Sequence, residues 1–134
     1  MTAPTTEQPS GSRRLTSSRL ALVAAVAAAG LLFLASFWLF TRANRFPAGY
    51  HPDEPGKGLQ VLQNRRNYRH PQLLLEASTV AARVAGAIVP VPADADPEDA
   101  AVVVPVQRVV EVGRDVSAGF AAAAVGLLAL VAWR

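Results

Sequence analysis

The chain predicts an all-α membrane protein: two transmembrane helices joined by an extracytoplasmic loop that carries short interfacial helices. Three observations lead there. Leu20 to Phe40 runs for 21 residues with one polar side chain, Ser36. A second apolar run, Val116 to Trp133, has Ser117 as its one polar residue. Between them lies a mostly polar segment in which prolines flank an acidic pair. At about 1.5 Å rise per residue, the first run makes a helix roughly 31 Å long, which matches a bilayer's hydrocarbon core.

In chain order, residues 1–18 read as a disordered cytoplasmic tail, because Thr, Ser, Pro and Gln dominate residues 1–12 and offer almost nothing to bury. The first transmembrane helix is expected over 19–42. Arg13, Arg14 and Arg19 precede the apolar run, as in a secretory signal. Signal cores are about 7–15 residues long and end in small residues. This run is longer and ends Phe37-Trp38-Leu39-Phe40, an interfacial aromatic belt, so an uncleaved signal anchor is expected. Flanking arginines and an even number of spans place both termini in the cytoplasm.

Residues 43–113 form the expected extracytoplasmic loop. Pro47, Gly49, Pro52 and Pro55 exclude a regular helix at its start. Pro55 suits a helix's first turn, with Asp53 or Glu54 near the cap, and predicts a short helix to about Asn64. A stronger helix is expected from Pro71 to Ala85. Its polar residues Gln72, Glu76, Thr79 and Arg83 form one stripe and the other faces are apolar, which suits a helix lying in the membrane interface or packed on the spans. Gly86 is its expected stop. Residues 89–99, with Pro90, Pro92, Pro97 and four acidic residues, read as an exposed loop. The Val-rich stretch 102–112 has the composition of a strand. Gln107, Arg108, Glu111, Arg114 and Asp115 recur at helical spacing, however. The expectation is a helix that starts near Val106 and runs into the second span, 114–134.

Composition excludes several function classes. Of 13 basic residues 12 are arginines, spread along the chain and not interleaved with aromatics, so no nucleic-acid partner is expected. There is no cysteine, hence no disulfide framework, thiolate metal site or cysteine nucleophile. Phosphate-cradling loops, a dinucleotide fingerprint and a nucleophile elbow are all missing.

The segment His51-Pro52-Asp53-Glu54-Pro55 carries the main chemical interest. Two adjacent carboxylates just outside a span can act as a general base or ligate a hard divalent cation. Their repulsion tends to raise one pKa. The competing reading is a solvated acidic turn that caps the next helix. His51 and His70 both precede proline and do not make a zinc pattern. The acidic cluster at 94–99 lacks the spacing of a calcium loop. Arg65, Arg66 and Arg69 form a small basic cluster that reads as a solvated helix end or a phosphate contact.

Taken in order, the first span, the Tyr50-His51-Pro52-Asp53-Glu54 turn, Asn67-Tyr68-Arg69-His70-Pro71-Gln72-Leu73 and the opening Gly113-Arg114-Asp115-Val116-Ser117-Ala118 of the second span resemble the N-terminal part of GT-C superfamily glycosyltransferases. The bacterial enzymes grouped with protein O-mannosyltransferases and lipid A aminoarabinose transferases are the nearest in pattern. The resemblance covers about residues 42–134. It implies an acidic motif near the active site in the first extracytoplasmic loop, interfacial helices after it, and a sugar donor on a polyprenyl phosphate. By that resemblance Asp53 is the catalytic base or a metal-linked carboxylate, and Glu54 is its partner in either role. His51, His70 and Arg114 line the substrate pocket. No organic cofactor is implied, and a divalent metal at Asp53 and Glu54 is an option. Gln72 departs from the family's second proline, and the Pro-rich acidic insert at 89–99 is not a family landmark. Such enzymes carry more spans, so the expectation is a segment that is inactive without a further C-terminal membrane part. The reading from a different class is a small two-span accessory or structural protein whose loop binds a partner.

Overall fold

The computed structural model describes residues 11–48, 51–65, 72–97 and 99–133. These fold into four helices, α1 Gly11–Thr41, α2 Glu54–Leu62, α3 Gln72–Val84 and α4 Ala100–Ala132, with no strand among the described residues. Two of them, α1 and α4, are long and apolar enough to cross a membrane. His70, with residues 66–71, lies outside the described residues, as do residues 1–10 and 49–50.

The two long helices pack antiparallel along a seam of small residues. Ala118, Ala122 and Gly126 recur every fourth position and are buried. At Gly126 a methyl group would lie 3.3 Å from the Ala29 carbonyl oxygen and 3.6 Å from Phe33 Cβ. Small residues allow this approach, the kind of close backbone packing that joins apolar helices by dispersion. The outer faces carry Leu22, Leu34, Trp38, Leu127 and Leu128, all exposed. At the loop end of α1 the Arg42 guanidinium lies 5.4 Å from the Trp38 ring.

Helix α4 is one continuous element of 33 residues, about 50 Å long. A hydrocarbon core needs about 30 Å, so about a third of its length extends beyond what a crossing requires. This extension is the centre of the loop's fold. Val102, Val106, Val109 and Val110 form a stripe that packs with Val61 and Leu62 of α2, Ala82 of α3 and Ala87 just after it. That stripe explains why α4 begins at Ala100 rather than near Val106. Burial of Val102 and Val106 holds the first turns helical despite Pro105, whose missing N–H forfeits one ladder bond.

Both short helices stop where the chain turns left-handed. Asn64, at φ 52°, ends α2, and the Arg65 N–H reaches back to the Gln60 carbonyl at 2.9 Å. Gly86, at φ 65°, ends α3, and Ala87 N–H reaches Ala82 at 2.8 Å. These are paired carbonyl caps of the Schellman type. Helix α3 crosses α4, since Leu74, Leu75 and Ser78 line a cavity on one flank of α4 while residues 85–87 line a cavity on the other. Its stripe of Gln72, Glu76 and Thr79 faces Gln60, Asn64 and Arg65 at the end of α2. Leu73, Val80 and Val84 point outward and stay exposed.

Candidate functional site

The site is assembled by Arg114, just before the apolar run of α4. Its side chain is only 9% exposed. Nε donates to Glu54 Oε1 at 2.9 Å and Nη2 to Glu54 Oε2 at 2.6 Å, a bidentate pair. Nη1 donates to the carbonyls of Asn44 at 2.8 Å and Phe46 at 2.6 Å, and Nη2 also reaches that of Pro47 at 3.3 Å. The guanidinium carbon lies 3.6 Å from the centre of the Phe46 ring. A guanidinium's fork of donors is thereby used up. Arg114 therefore has no N–H left for a substrate. The substrate-contact role implied by its place in the motif becomes a positioning role, in which it fixes the acidic turn.

Two turns earlier on the same face, Gln107 does the same work. Its Nε2 donates to the Phe46 carbonyl at 3.0 Å and to Glu111 Oε1 at 2.7 Å, and its Oε1 accepts the Ala48 N–H. The connector from α1 to α2 cannot be helical because of its prolines, so its backbone groups need outside partners. Gln107 and Arg114 supply them from one side of α4. Gln107 was visible in sequence only as one member of the polar series at helical spacing.

The acidic pair divides into unlike members. Glu54 is locked to Arg114 with its side chain 19% exposed. The Arg114 hydrogen bonds, against an opposing cost of burial, hold its carboxyl below the usual range. The expectation that mutual repulsion raises a pKa therefore does not apply to Glu54, because a cation sits on it. With both oxygens accepting from Arg114, Glu54 is a support and not a ready base. Asp53, by contrast, is 57% exposed. It stands at the N-cap of α2 and makes no side-chain cap hydrogen bond there. Its nearest cation is Lys57 Nζ, at 4.0 Å. His51 is exposed, and its Nδ1 accepts the Asp53 N–H at 3.4 Å. His51 thus stays beside Asp53, and the structure brings Glu54 and Arg114 together as well.

A groove of about 440 Å³ runs beside this turn. Glu54, Lys57 and Arg114 form its charged end, Leu74, Val109 and Val110 its wall, and Phe40, Ala118 and Ala121 carry it in between the two long apolar helices. It narrows where α2 approaches α4. A methyl group on Gly58 would meet Val110 Cγ2 at 3.0 Å and Val106 Cγ1 at 3.1 Å, so any larger residue forces those valines to shift.

A metal does not fit the acidic pair. Among the described residues no three His, Cys, Asp or Glu side chains gather to hold one. A cation shared by Asp53 and Glu54 would have to displace the Arg114 guanidinium. Comparison of the chain with protein-family models, with curated proteins and with solved structures gives no match.

Proposed function

We propose that this chain is the N-terminal segment of an integral-membrane glycosyltransferase of the GT-C type. It transfers a sugar from a polyprenyl-phosphate donor, with residues 43–113 outside the cell membrane and both termini in the cytoplasm. The observation that carries the reading is the state of Asp53. Its carboxylate is not spent on capping α2, while its neighbour Glu54 is clamped to Arg114. A capping turn would use the first carboxylate, whereas a base in a rigid turn leaves it available. Further support comes from the groove, which runs from the charged turn into the apolar spans and suits an amphiphile with a polar head and a hydrocarbon chain.

In this reading the acceptor hydroxyl lies against Asp53. As its oxygen bonds to the anomeric carbon, the proton passes to the Asp53 carboxylate. The bond from that carbon to the phosphate oxygen breaks, and the polyprenyl phosphate leaves with the electron pair. Lys57, at the groove's charged end, faces the departing phosphate. Arg114, Gln107 and Glu54 keep the turn in place.

The test is Asp53→Asn in the assembled enzyme. Asn keeps the shape and removes the basicity, so turnover should fall by about 10²–10⁴, the usual worth of a positioned base. Near-normal transfer would reject the assignment and restore the acidic-turn reading. The accessory-protein reading draws on a different observation, the exposed stripe Leu73, Val80 and Val84 on α3. It predicts a stoichiometric protein partner crosslinked through that stripe and no donor lipid in the groove.

A further inference from the structure

A second cavity, of about 570 Å³, lies on the flank of α4 opposite the acidic-turn groove. Phe37 and Thr41, the loop end of α1, form its floor, and Arg45, Arg108, Glu111 and Asp115 its walls. The last three share one face of α4 by their spacing. The cavity therefore carries two cations and two anions, and these are not matched to one another. Among the described residues neither arginine has a carboxylate within 4.0 Å, and neither carboxylate has a basic nitrogen within that distance. Glu111 accepts from the neutral amide of Gln107 at 2.7 Å, and Asp115 from that of Asn44 at 3.3 Å. Glu111 and Asp115 are also four apart on a helix, an arrangement in which like charges repel.

Position narrows the choice of ligand. With α1 and α4 as spans, the cleft opens at headgroup depth, beside the exposed apolar face of α1. An anionic headgroup would meet the two carboxylates, and a simple cation would meet the two arginines. A group holding both signs satisfies all four. Charge-assisted hydrogen bonding to the carboxylates also requires N–H, which a quaternary ammonium lacks.

We propose that this cleft binds the headgroup of a zwitterionic phospholipid with a primary ammonium, its phosphate on Arg45 and Arg108 and its ammonium on Glu111 and Asp115. The inference rests on α1 and α4 being spans and is independent of the glycosyl-transfer reading.

The test is native mass spectrometry of the full chain released from nanodiscs containing equal parts of ethanolamine, choline and glycerol phospholipids of one acyl composition. The ethanolamine lipid should be retained about tenfold over the other two, the discrimination expected of one or two exposed charge-assisted hydrogen bonds. Arg45→Gln with Arg108→Gln should abolish the enrichment. Glu111→Gln with Asp115→Asn should turn the preference toward the anionic glycerol lipid. Both arginines are exposed, so the first pair leaves the core untouched. The lipid competition on the unmodified chain is decisive even if the second pair misfolds. Equal retention of the ethanolamine and choline lipids, or a preference of the unmodified chain for the glycerol lipid, overturns the proposal. So does enrichment that survives loss of the arginines.

Discussion

Replacing Arg114 with glutamine removes the contacts that hold the acidic turn against α4. The side chain makes two charge-assisted bonds to Glu54, donates to three backbone carbonyls and covers the Phe46 ring. Breaking a buried ion pair from one side costs about 3–5 kcal/mol, because the other charge is left desolvated. Glu54 keeps some contact with solvent, so we expect about 2–4 kcal/mol for Arg114→Gln. A double-mutant cycle with Glu54→Gln isolates the pair, and the coupling should be about 1.5–3 kcal/mol. Reversible unfolding in mixed detergent micelles measures the energies. Hydrogen exchange should show the amides of residues 44–46 and of Ala48 losing protection while those of α1 and of the C-terminal half of α4 keep theirs. Acid provides an independent check. The folded pKa of Glu54 lies below its ordinary 4.5. Its stabilisation is therefore complete above the ordinary value and is lost as pH falls through the lower folded value. Arg114→Gln should remove most of this acid sensitivity. A coupling below about 0.5 kcal/mol, within the range of an exposed pair, would refute the clamp.

Other outcomes follow from single contacts. Gly58→Leu should separate α2 from α4 and cost about 3 kcal/mol. Gly58→Ala should lose roughly 1 kcal/mol, because stiff Val106 and Val110 outweigh the helix-propensity gain; an increase in stability would contradict the close packing. Gly126→Leu should part the two long helices, read as loss of a disulfide crosslink engineered across them near Phe33; full crosslinking would argue against the seam. Reporter fusions at Ala93 and after Arg134 should report opposite sides of the membrane, and the hairpin topology fails if both report the cytoplasm. Spin labels at Val84 and Thr79 should differ in their access to lipid and water, with equal aqueous exposure ruling out membrane contact by the outer stripe of α3. In the segment reading, the purified chain by itself should show no transfer from polyprenyl-phosphate donors, because the groove beside the acidic turn is open along its length and two helices do not enclose a long isoprenoid; robust turnover would overturn that reading.

Local signals marked the helices well. The apolar runs located the central parts of both long helices, Pro55 and Asn64 bracketed α2, and Gly86 marked the stop of α3, but α1 begins at Gly11, inside the stretch expected to be a disordered tail, because the helix continues N-terminally past the apolar run. The N-terminus of α4 was harder to place, because Pro105 and a run of valines both argue against a helix until their packing is known. The site was legible in its residues but not in their roles. Asp53 and Glu54 are neighbours in sequence and looked like an electrostatic pair. Their difference is imposed by Arg114, 60 residues further along. Gln107 has no meaning as a connector clamp until residues 46–48 are seen to lie against it. The charge pattern of Arg45 with Arg108 is likewise a product of the antiparallel pairing of α1 with α4.

The placement of the loop's core on α4 has a consequence for biogenesis. Helices α2 and α3 contribute Val61, Leu62 and Ala82, but the central stripe comes from Val102 to Val110, which is synthesised last. The clamps on the connector, Gln107 and Arg114, arrive at the same time. Until that stretch emerges, α2 and α3 lack the surface they pack on, so with α1 and α4 as spans the loop would cross the membrane before its core could form. In that topology the core would form only as α4 settles against α1. Maturation of the loop is thereby tied in time to completion of the hairpin, and an insertion error in α4 would appear as a protease-sensitive loop rather than as a misplaced but folded one.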